Sequence, residues 1–192
     1  MLSPAQDTAA LLQRCSNGDD DAYGELFELV YTDLHRRARR WGGGPGATLS
    51  TTALVHETFL SLAGSRIAPN DRAHFFRIAA RAMRRVLIDA SRRRNARKRG
   101  DGREALTLDT SLVAPDRELD LVALDQALEQ LATSEPRLAQ VVELHFYGGL
   151  EFTEIARLME VSERTVARDW RAARALLHLA LSEQATSTDG NA

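Results

Sequence analysis

Apolar residues recur every three or four positions along most of this chain, the spacing that places them on one side of an α-helix. Runs in which apolar and polar residues alternate, as in a half-buried strand, are not convincing anywhere. The periodicity predicts helices at residues 6–16, from Asp19 or Asp20 onwards, from Ser50 or Thr51 onwards, after residue 71, and at 119–131, 134–147, 153–159 and 162–181. The sequence therefore predicts an all-α fold.

Breaks in this pattern divide the chain. The runs at residues 42–46 and 69–71 are rich in glycine or contain proline and cannot continue a helix. Residues 98–118 have no sustained amphipathic pattern, which is typical of a flexible linker. We therefore predict two small helical domains, 1–97 and 119–183, with the small polar residues 184–192 forming a disordered tail.

Positive charge is concentrated in one predicted helix. Residues 72–99 contain ten arginines, one lysine and a single acid, Asp89, although the formal net charge of the chain is only −2. At about 100° per residue, arginines cluster on about a third of the circumference and apolar residues lie opposite. The arginines are Arg77, Arg81, Arg84, Arg85 and Arg92, and the apolar residues are Phe75, Phe76, Ala79, Ala82, Met83, Val86, Leu87 and Ala90. This pattern favours a core on one face and a polyanion on the other. The alternative is that the arginines are solvated and pair with acids from elsewhere in the chain.

A second basic pattern lies in the sequence LEFTEIARLMEVSERTVARDWRAARALL. Ala156 is small enough for two helices to cross closely, Val161 fills the turn, and Ser162 can cap the second helix. Val166 and Trp170 are predicted to face the core. The polar residues left over could face DNA, as the first turns of a recognition helix do; they are Ser162, Arg164, Thr165, Arg168 and Arg171. The pattern predicts a DNA-binding helix-turn-helix in the second domain, although such helix pairs also occur as plain packing units.

Other classes of protein are disfavoured. No apolar run approaches the roughly 20 residues that span a bilayer, and the N-terminus lacks the pattern of a signal peptide. Cys15 is the only cysteine, which excludes an internal disulfide and a cysteine-based zinc cluster. The pair His56-Glu57 lacks the second histidine of a zinc protease, because position 60 is Leu60. We expect a cytoplasmic protein with no catalytic residues, metal or cofactor.

The two basic patterns, in this order and at this spacing, resemble the extracytoplasmic-function (ECF) class of bacterial sigma-70 factors, which direct core RNA polymerase to promoters. The similarity covers about residues 7–97 and 119–181. MRRVLIDASRRRNARKR resembles the family's strand-opening element, and SERTVARDWRAAR resembles its region-four recognition helix. ALVHETFLSL resembles the helix that docks on the clamp of the largest polymerase subunits.

The resemblance implies an initiation factor without enzymatic activity. Promoter DNA at the −10 region would be contacted and opened by Arg77, Arg81, Arg84, Arg85, Arg92 and Arg93. The −35 element would be read by Ser162, Arg164, Thr165, Arg168 and Arg171. Core RNA polymerase would dock on Leu54, His56, Glu57, Phe59 and Leu60, although each apolar member of this set fits a core position better. Because no sensory extension follows the second domain, control would come from synthesis, degradation or a partner such as an anti-sigma factor.

Five residues depart from the family's usual pattern. Phe75 and Phe76 stand where tryptophan is frequent, and Arg85 stands where asparagine is frequent. Ala167 and Asp169 occupy positions that are commonly basic, so we expect the chain to have its own promoter preference. Two other functions remain open: a helix-turn-helix regulator of duplex operators, and an RNA-binding protein that uses its arginine-rich helix. Neither of them needs the helix ALVHETFLSL.

Overall fold

The computed structural model of the protein describes residues 10–11, 13–15, 17–41, 49–64, 72–98 and 120–189. None of these residues forms a strand, so the predicted all-α fold is confirmed for them. The helices are α1 (Asp20–Ala38), α2 (Thr51–Gly64), α3 (Arg72–Lys98), α4 (Leu121–Ser134), α5 (Pro136–Val142), α6 (Phe152–Met159) and α7 (Glu163–Asp189). A 3-10 turn at Arg39–Trp41 follows α1, and a π-helical turn at Glu143–Tyr147 follows α5. The predicted loops at 42–46 and 69–71, and residues 99–118 of the predicted linker, lie outside the described residues.

Polar side chains start several of the helices, as the sequence predicts. The Asp19 carboxylate accepts hydrogen bonds from the backbone N–H groups of Asp21 and Ala22, both at 3.1 Å. The Ser50 hydroxyl accepts one from the N–H of Ala53, also at 3.1 Å. Each acceptor satisfies an N–H group that has no partner within the first turn of its helix. These caps explain why α1 and α2 begin where they do.

The start of α5 differs from the prediction. Its first residue is Pro136, as expected, but Ser134 does not cap it. The Ser134 hydroxyl instead donates back to the carbonyls of Gln130 and Leu131 at the end of α4, at 3.5 and 3.4 Å. Ser134 is the last residue of α4, and Glu135 is the residue that precedes α5, where its side chain makes no capping hydrogen bond. The fixed φ of Pro136 suits a first helical position.

Helix α7 is longer than expected. It runs to Asp189, past the predicted end near Leu181. Between Leu150 and Asp189 the sequence contains neither glycine nor proline. Without these residues nothing local forces the helix to end before Gly190.

The core contains the apolar face of α3. All eight apolar residues predicted for that face are buried: Phe75, Phe76, Ala79, Ala82, Met83, Val86, Leu87 and Ala90. Cys15, predicted to be a small core residue, is buried too. The buried cluster continues from α1–α3 into α4–α7, where it includes Leu124, Ile155 and Val166. The described N-terminal half (residues 10–98) and C-terminal half (120–189) thus pack on one another. Their division into two independent domains stays a prediction.

Aromatic and backbone contacts bring the two halves close together. The indole of Trp41 stacks on the ring of Tyr147 with centroids 5.7 Å apart and meets the ring of Phe146 edge-on at 4.9 Å. Gly148 lies so near α3 that an added Cβ would be 2.8 Å from the Cβ of Ala80. Gly149 has a φ of 64°, a conformation that favours glycine. The short glycine segment therefore allows the turn after α5 to rest directly on α3.

Candidate nucleic-acid interface

The six arginines predicted to contact DNA on α3, here called the arginine face, have different environments. They are Arg77, Arg81, Arg84, Arg85, Arg92 and Arg93. Arg85 and Arg93 are exposed, and Arg93 Nε donates to the backbone carbonyl of Asp89 at 3.2 Å. Arg77 is half-buried, and its Nε has no hydrogen-bond partner among the described residues. Arg81 and Arg92 are exposed as well, with 77% and 58% of their side chains accessible, so Arg77 and Arg84 are the two partly enclosed members of the face.

Arg84 has the least exposed side chain among the arginines of this face that form ion pairs. Its side chain is only 18% exposed, and Nε and Nη2 lie 2.7 and 2.6 Å from Oδ1 of Asp125 on α4. Nη2 also donates to the backbone carbonyl of Asp125 at 3.3 Å. Burial acts to lower the pKa of Arg84, but the hydrogen bond and charge of Asp125 outweigh it, and the pKa is raised. Arg84 is therefore held in its charged form within the fold.

Two further arginines of this face pair with carboxylates of the C-terminal half. Arg81 Nε lies 3.1 Å from Oε2 of Glu143, and Arg92 Nη2 lies 3.5 Å from Oδ2 of Asp125. Glu143 also lies 3.6 Å from Arg84 through Oε1. The alternative in which arginines pair with acids from elsewhere in the chain therefore describes Arg81, Arg84 and Arg92 in this structure. A cleft of about 510 Å³ opens beside these pairs, between α3 and helices α4 and α5.

A second basic surface lies at the start of α7. The preceding helix, α6, begins with a capping box in which Glu151 and Glu154 exchange side-chain and backbone hydrogen bonds. It ends at Met159, and the next residue, Glu160, has a φ of 54° that turns the chain sharply. The Ser162 hydroxyl then accepts from the N–H of Thr165 at 3.1 Å, so its predicted role as a cap is confirmed. This arrangement sets the direction in which α7 leaves the turn.

The side chains of α7 divide into an inner and an outer set. Val166 and Trp170 are buried, as predicted. Of the residues predicted to contact DNA, Ser162, Arg164, Arg168 and Arg171 are exposed and Thr165 is half-buried. Three exposed guanidinium groups on the first turns of a helix can contact phosphates and base edges.

Asp169 was not predicted as a structural residue, and it is buried. It accepts a hydrogen bond from Arg137 Nη2 on α5 at 3.1 Å and lies 3.3 Å from Nη2 of Arg168. A buried carboxylate is stable only with such partners. Asp169 therefore ties α7 to α5 and holds one of the exposed arginines near its own carboxylate.

Helix α2 carries the residues predicted to dock on polymerase. Leu54 is fully buried and belongs to the core of this structure, which is the alternative that the sequence favours for the apolar members of the set. It lies on the side of α2 that packs against its neighbouring helices, where burial of a leucine is most favourable. His56 and Glu57 are exposed, and Leu60 is 64% exposed. Phe59 is half-buried, with its ring 4.3 Å from the ring of Phe27 on α1.

Arg37 and Arg40 were not predicted as functional or structural residues. The side chain of Arg37 is 4% exposed, and its guanidinium bonds both carboxylate oxygens of Glu154 on α6, at 2.6 and 3.1 Å. This hydrogen bond holds the pKa of Glu154 below its usual value. Arg40 Nη1 donates to the backbone carbonyls of His145 and Phe146 at 2.9 and 3.2 Å. The only sequence signal was a basic run at the end of α1, which does not identify partners more than 100 residues away.

Other kinds of site find no support in the described ranges. No cluster of three or more His, Cys, Asp or Glu side chains there could hold a metal ion. No helix in the same ranges combines the length and apolar character needed to cross a bilayer.

The described residues form helices that present two basic surfaces, a charge pattern typical of nucleic-acid-binding proteins. The family model "ECF sigma factor" matches residues 5–183, and the chain therefore belongs to the ECF sigma factor family, as its sequence resemblance indicates. This family consists of transcription regulators that act with RNA polymerase.

Similarity to individual proteins is low. The solved structure of CnrH in complex with the cytosolic domain of CnrY is 22% identical to this chain, covering 97% of this chain and 99% of that one, with a TM-score of 0.42. No curated protein matches the chain.

Proposed function

We propose that this chain directs core RNA polymerase to specific promoters through two separate DNA contacts. In this proposal α3 binds and opens the −10 region, α6 and α7 form a helix-turn-helix that reads the −35 element, and α2 docks on the polymerase clamp. The observation that carries the proposal is the division of α3 into a buried apolar face and a face of arginines, in a chain of this family. The chemistry of transcription then belongs to polymerase, and this chain supplies binding.

The −10 contact is supported by the composition of α3. A melted strand is usually held by cations that follow its phosphates and by apolar surface for its bases. Arg85 and Arg93 are exposed and could engage such a strand directly. Arg81 and Arg92 are also exposed, whereas Arg84 could do so only once Asp125 is withdrawn.

The −35 contact is supported by the start of α7. The Ser162 cap and the inward Val166 orient the helix so that Arg164, Arg168 and Arg171 are exposed. Arginine can bond guanine through two hydrogen bonds in the major groove. Because two weak contacts on one chain act together, tethering increases the effective concentration of the second.

A transcription assay tests this proposal against the two other functions. Purified chain is added to bacterial core polymerase with a library of genomic DNA fragments, and the 5′ ends of the transcripts are sequenced. The proposal expects discrete start sites that share upstream elements near −10 and −35. If no complex with core forms, the chain is not a sigma factor, and specific binding to duplex operators or to RNA would then support a regulator or an RNA-binding protein.

The role of α3 is tested with the double variant Arg85→Ala/Arg93→Ala. Both residues are exposed, so the fold is expected to be retained. Promoter opening, measured by the reactivity of unpaired thymines, is expected to fall at least about tenfold because two phosphate contacts are lost. Arg36→Ala on α1 is the control, since its side chain is also exposed and lies outside the arginine face. Equal activity of the double variant and the control would reject this role.

The docking surface is tested with Leu60→Ala and Glu57→Ala. Both side chains are exposed on α2, and loss of affinity for core polymerase is expected without loss of stability. Leu179→Ala is the control, because Leu179 on α7 is 58% exposed and lies outside the proposed surface. Unchanged affinity of both α2 variants for core polymerase would show that the docking site lies elsewhere. An anti-sigma partner stays a prediction, and its binding would be sought separately.

A further inference from the structure

A buried carboxylate near the start of α7 lies between two arginines. The side chain of Asp169 is 4% exposed, and Nε of Arg137 on α5 lies 2.9 Å from its Oδ2. Its Oδ1 accepts from Nη2 of Arg137 at 3.1 Å and from Nε and Nη2 of Arg168 at 3.4 and 3.3 Å. One enclosed acid therefore joins the contact between α5 and α7 to an arginine that we assign to −35 DNA.

The contact with Asp169 uses only one edge of the Arg168 guanidinium. Nε and Nη2 form that edge, and both donate to the same carboxylate oxygen. Because the guanidinium is planar, its other fork, formed by Nη1 and the second N–H of Nη2, points away from the carboxylate. Two parallel N–H groups of this kind match the N7 and O6 acceptors that guanine presents in the major groove. The Arg168 side chain is 64% exposed, so most of it remains accessible to DNA.

The other two arginines at the start of α7 are held differently. Nε of Arg171 donates to the backbone carbonyl of Ala167 on its own helix, at 3.2 Å. Within the described ranges, neither Arg164 nor Arg171 forms an ion pair. A long side chain that is already oriented loses less freedom when it binds, a difference that corresponds to about two- to tenfold in affinity. Arg168 is the one of these three arginines that a buried carboxylate orients before DNA arrives.

We propose that Asp169 is a positioning residue for promoter reading, which orients Arg168 so that its outer fork recognises guanine at one base pair of the −35 element. This inference rests on the proposed role of α7 in reading that element. The orientation matters only where a guanine faces Arg168, so Asp169 raises the affinity for that base and not for the others. Its negative charge also opposes general attraction to phosphates. Asp169 therefore favours sequence readout over nonspecific binding.

The test measures base preference at the −35 element with the full chain bound to core polymerase. A promoter found in the genomic transcription assay has its upstream element randomised, and the fragments that bind are sequenced. The wild type should prefer guanine at one position by at least about fivefold, and Arg168→Ala should abolish that preference. Asp169→Asn keeps the side-chain volume and removes the charge. It should reduce the preference by about two- to tenfold without weakening binding to fragments that lack this guanine.

Arg137→Ala is the matched control for the structural part of this contact. It also breaks the link between α5 and α7, but it leaves Asp169 in contact with Arg168. Its guanine preference should stay within about twofold of the wild type, even if the protein is less stable. If Asp169 only holds the two helices together, Asp169→Asn and Arg137→Ala will instead weaken binding alike for every sequence. Either that result or an unchanged guanine preference in Asp169→Asn overturns the proposal.

A second variant decides the question if circular dichroism shows that Asp169→Asn does not fold. Arg168→Lys lies at an exposed position and keeps the positive charge. A single ammonium group has no second edge, so it cannot be oriented by Asp169 and present a planar fork to guanine at the same time. The proposal expects this variant to lose the guanine preference as Arg168→Ala does, and a retained preference rejects it.

The outcome also separates this inference from the proposed function. Promoter-specific transcription by the wild type with core polymerase tests the function alone. Transcription with a −35 preference that Asp169→Asn leaves unchanged rejects the positioning role and leaves the sigma role intact. If no complex with core forms, the sigma role fails. A guanine preference in duplexes selected by the chain alone, weakened by Asp169→Asn, would then support the positioning role in another kind of DNA-binding protein.

Discussion

Arg84 and Arg85 are adjacent residues of α3 with opposite environments. Arg84 is enclosed by Asp125 and Glu143, whereas Arg85 is exposed and forms no ion pair within the described ranges. The sequence pattern places both residues on one face of the helix. The fold shows that Arg84 pairs with carboxylates of the C-terminal half, whereas the Arg85 side chain is exposed to solvent.

We therefore expect different losses of stability from Arg84→Ala and Arg85→Ala. The first leaves Asp125 buried without its main donor, and the free energy of unfolding should fall by about 1–3 kcal/mol. The second should change it by less than about 0.5 kcal/mol. Urea denaturation of both variants at neutral pH measures the difference, and equal losses would show that the Arg84–Asp125 pair contributes nothing.

His145 gives the packed form a dependence on pH. Its Nδ1 lies 2.7 Å from the carbonyl oxygen of Leu150, which can only accept, so the neutral ring donates from Nδ1. Burial lowers the pKa of His145 in the folded protein, against a smaller opposing effect of that hydrogen bond. The unfolded chain therefore binds this proton at a higher pH than the folded one. Its contribution to stability is present above about pH 6.5 and is lost as the pH falls from there through the folded pKa.

The variant His145→Gln tests this assignment. The decrease in stability between about pH 7.5 and pH 5.5 should be smaller in this variant than in the wild type, even if the variant is less stable throughout. His178→Gln is the control, because His178 is exposed on α7. Urea midpoints at both pH values provide the measurement. A wild-type pH dependence in His145→Gln would mean that another group is responsible.

At the scale of elements, two glycines in different packing environments should respond oppositely to the same change. A Cβ at Gly148 would lie 2.7 Å from the carbonyl oxygen of Leu144 and 2.8 Å from Ala80, so Gly148→Ala should push the turn away from α3 and destabilise the protein by about 1–3 kcal/mol. Gly24 lies within α1 with open space around it, and Gly24→Ala should raise the free energy of unfolding by about 0.5–1 kcal/mol. Thermal or urea unfolding of the two variants distinguishes them by sign. A neutral Gly148→Ala would show that the turn can move off α3 at little cost.

Elements set by local sequence could be predicted well. The caps Asp19, Ser50 and Ser162 act on backbone groups two or three residues away, and the buried face of α3 follows from helical periodicity. Ser134 could not be assigned in the same way, because its hydroxyl can serve either the end of α4 or the start of α5. In the structure α4 extends to Ser134 and Glu135 takes the position before α5, one residue later than the sequence predicts.

Contacts between distant elements could not be predicted from the sequence. Arg84 and Asp125 are 41 residues apart, and Arg37 and Glu154 are 117 residues apart. A pattern of charges shows that arginines need partners but not whether those partners are DNA phosphates or carboxylates of the same chain. Leu54 illustrates the same limit, since the apolar surface of α2 could be divided into core and docking positions only once its neighbours were known.

At the scale of the whole molecule, the packing of the two halves should change how DNA binding responds to salt. Each phosphate neutralised on a single strand contributes about 0.7 to the slope of log affinity against log salt concentration. If Asp125→Asn/Glu143→Gln frees Arg84, the arginine that both carboxylates enclose, its slope should be steeper than that of the wild type by about 0.7. Titrations of a fluorescein-labelled single-stranded oligonucleotide at several salt concentrations measure the slopes for the wild type and the variant. Parallel slopes would mean that the same number of cations meets DNA in both proteins.

The fluorescence of Trp41 can report whether the two halves are packed together. The chain contains two tryptophans, and Trp41 is 4% exposed between the rings of Phe146 and Tyr147, which belong to the other half. Separation of the halves would bring this indole into water, which shifts tryptophan emission to longer wavelength. Trp170 is buried beside His145 and Phe152 within the C-terminal half, so Trp170→Phe would leave Trp41 as the sole emitter. Polymerase, DNA or a regulator could then be added to this variant. A shift of the emission maximum to longer wavelength would show which of them separates the two halves.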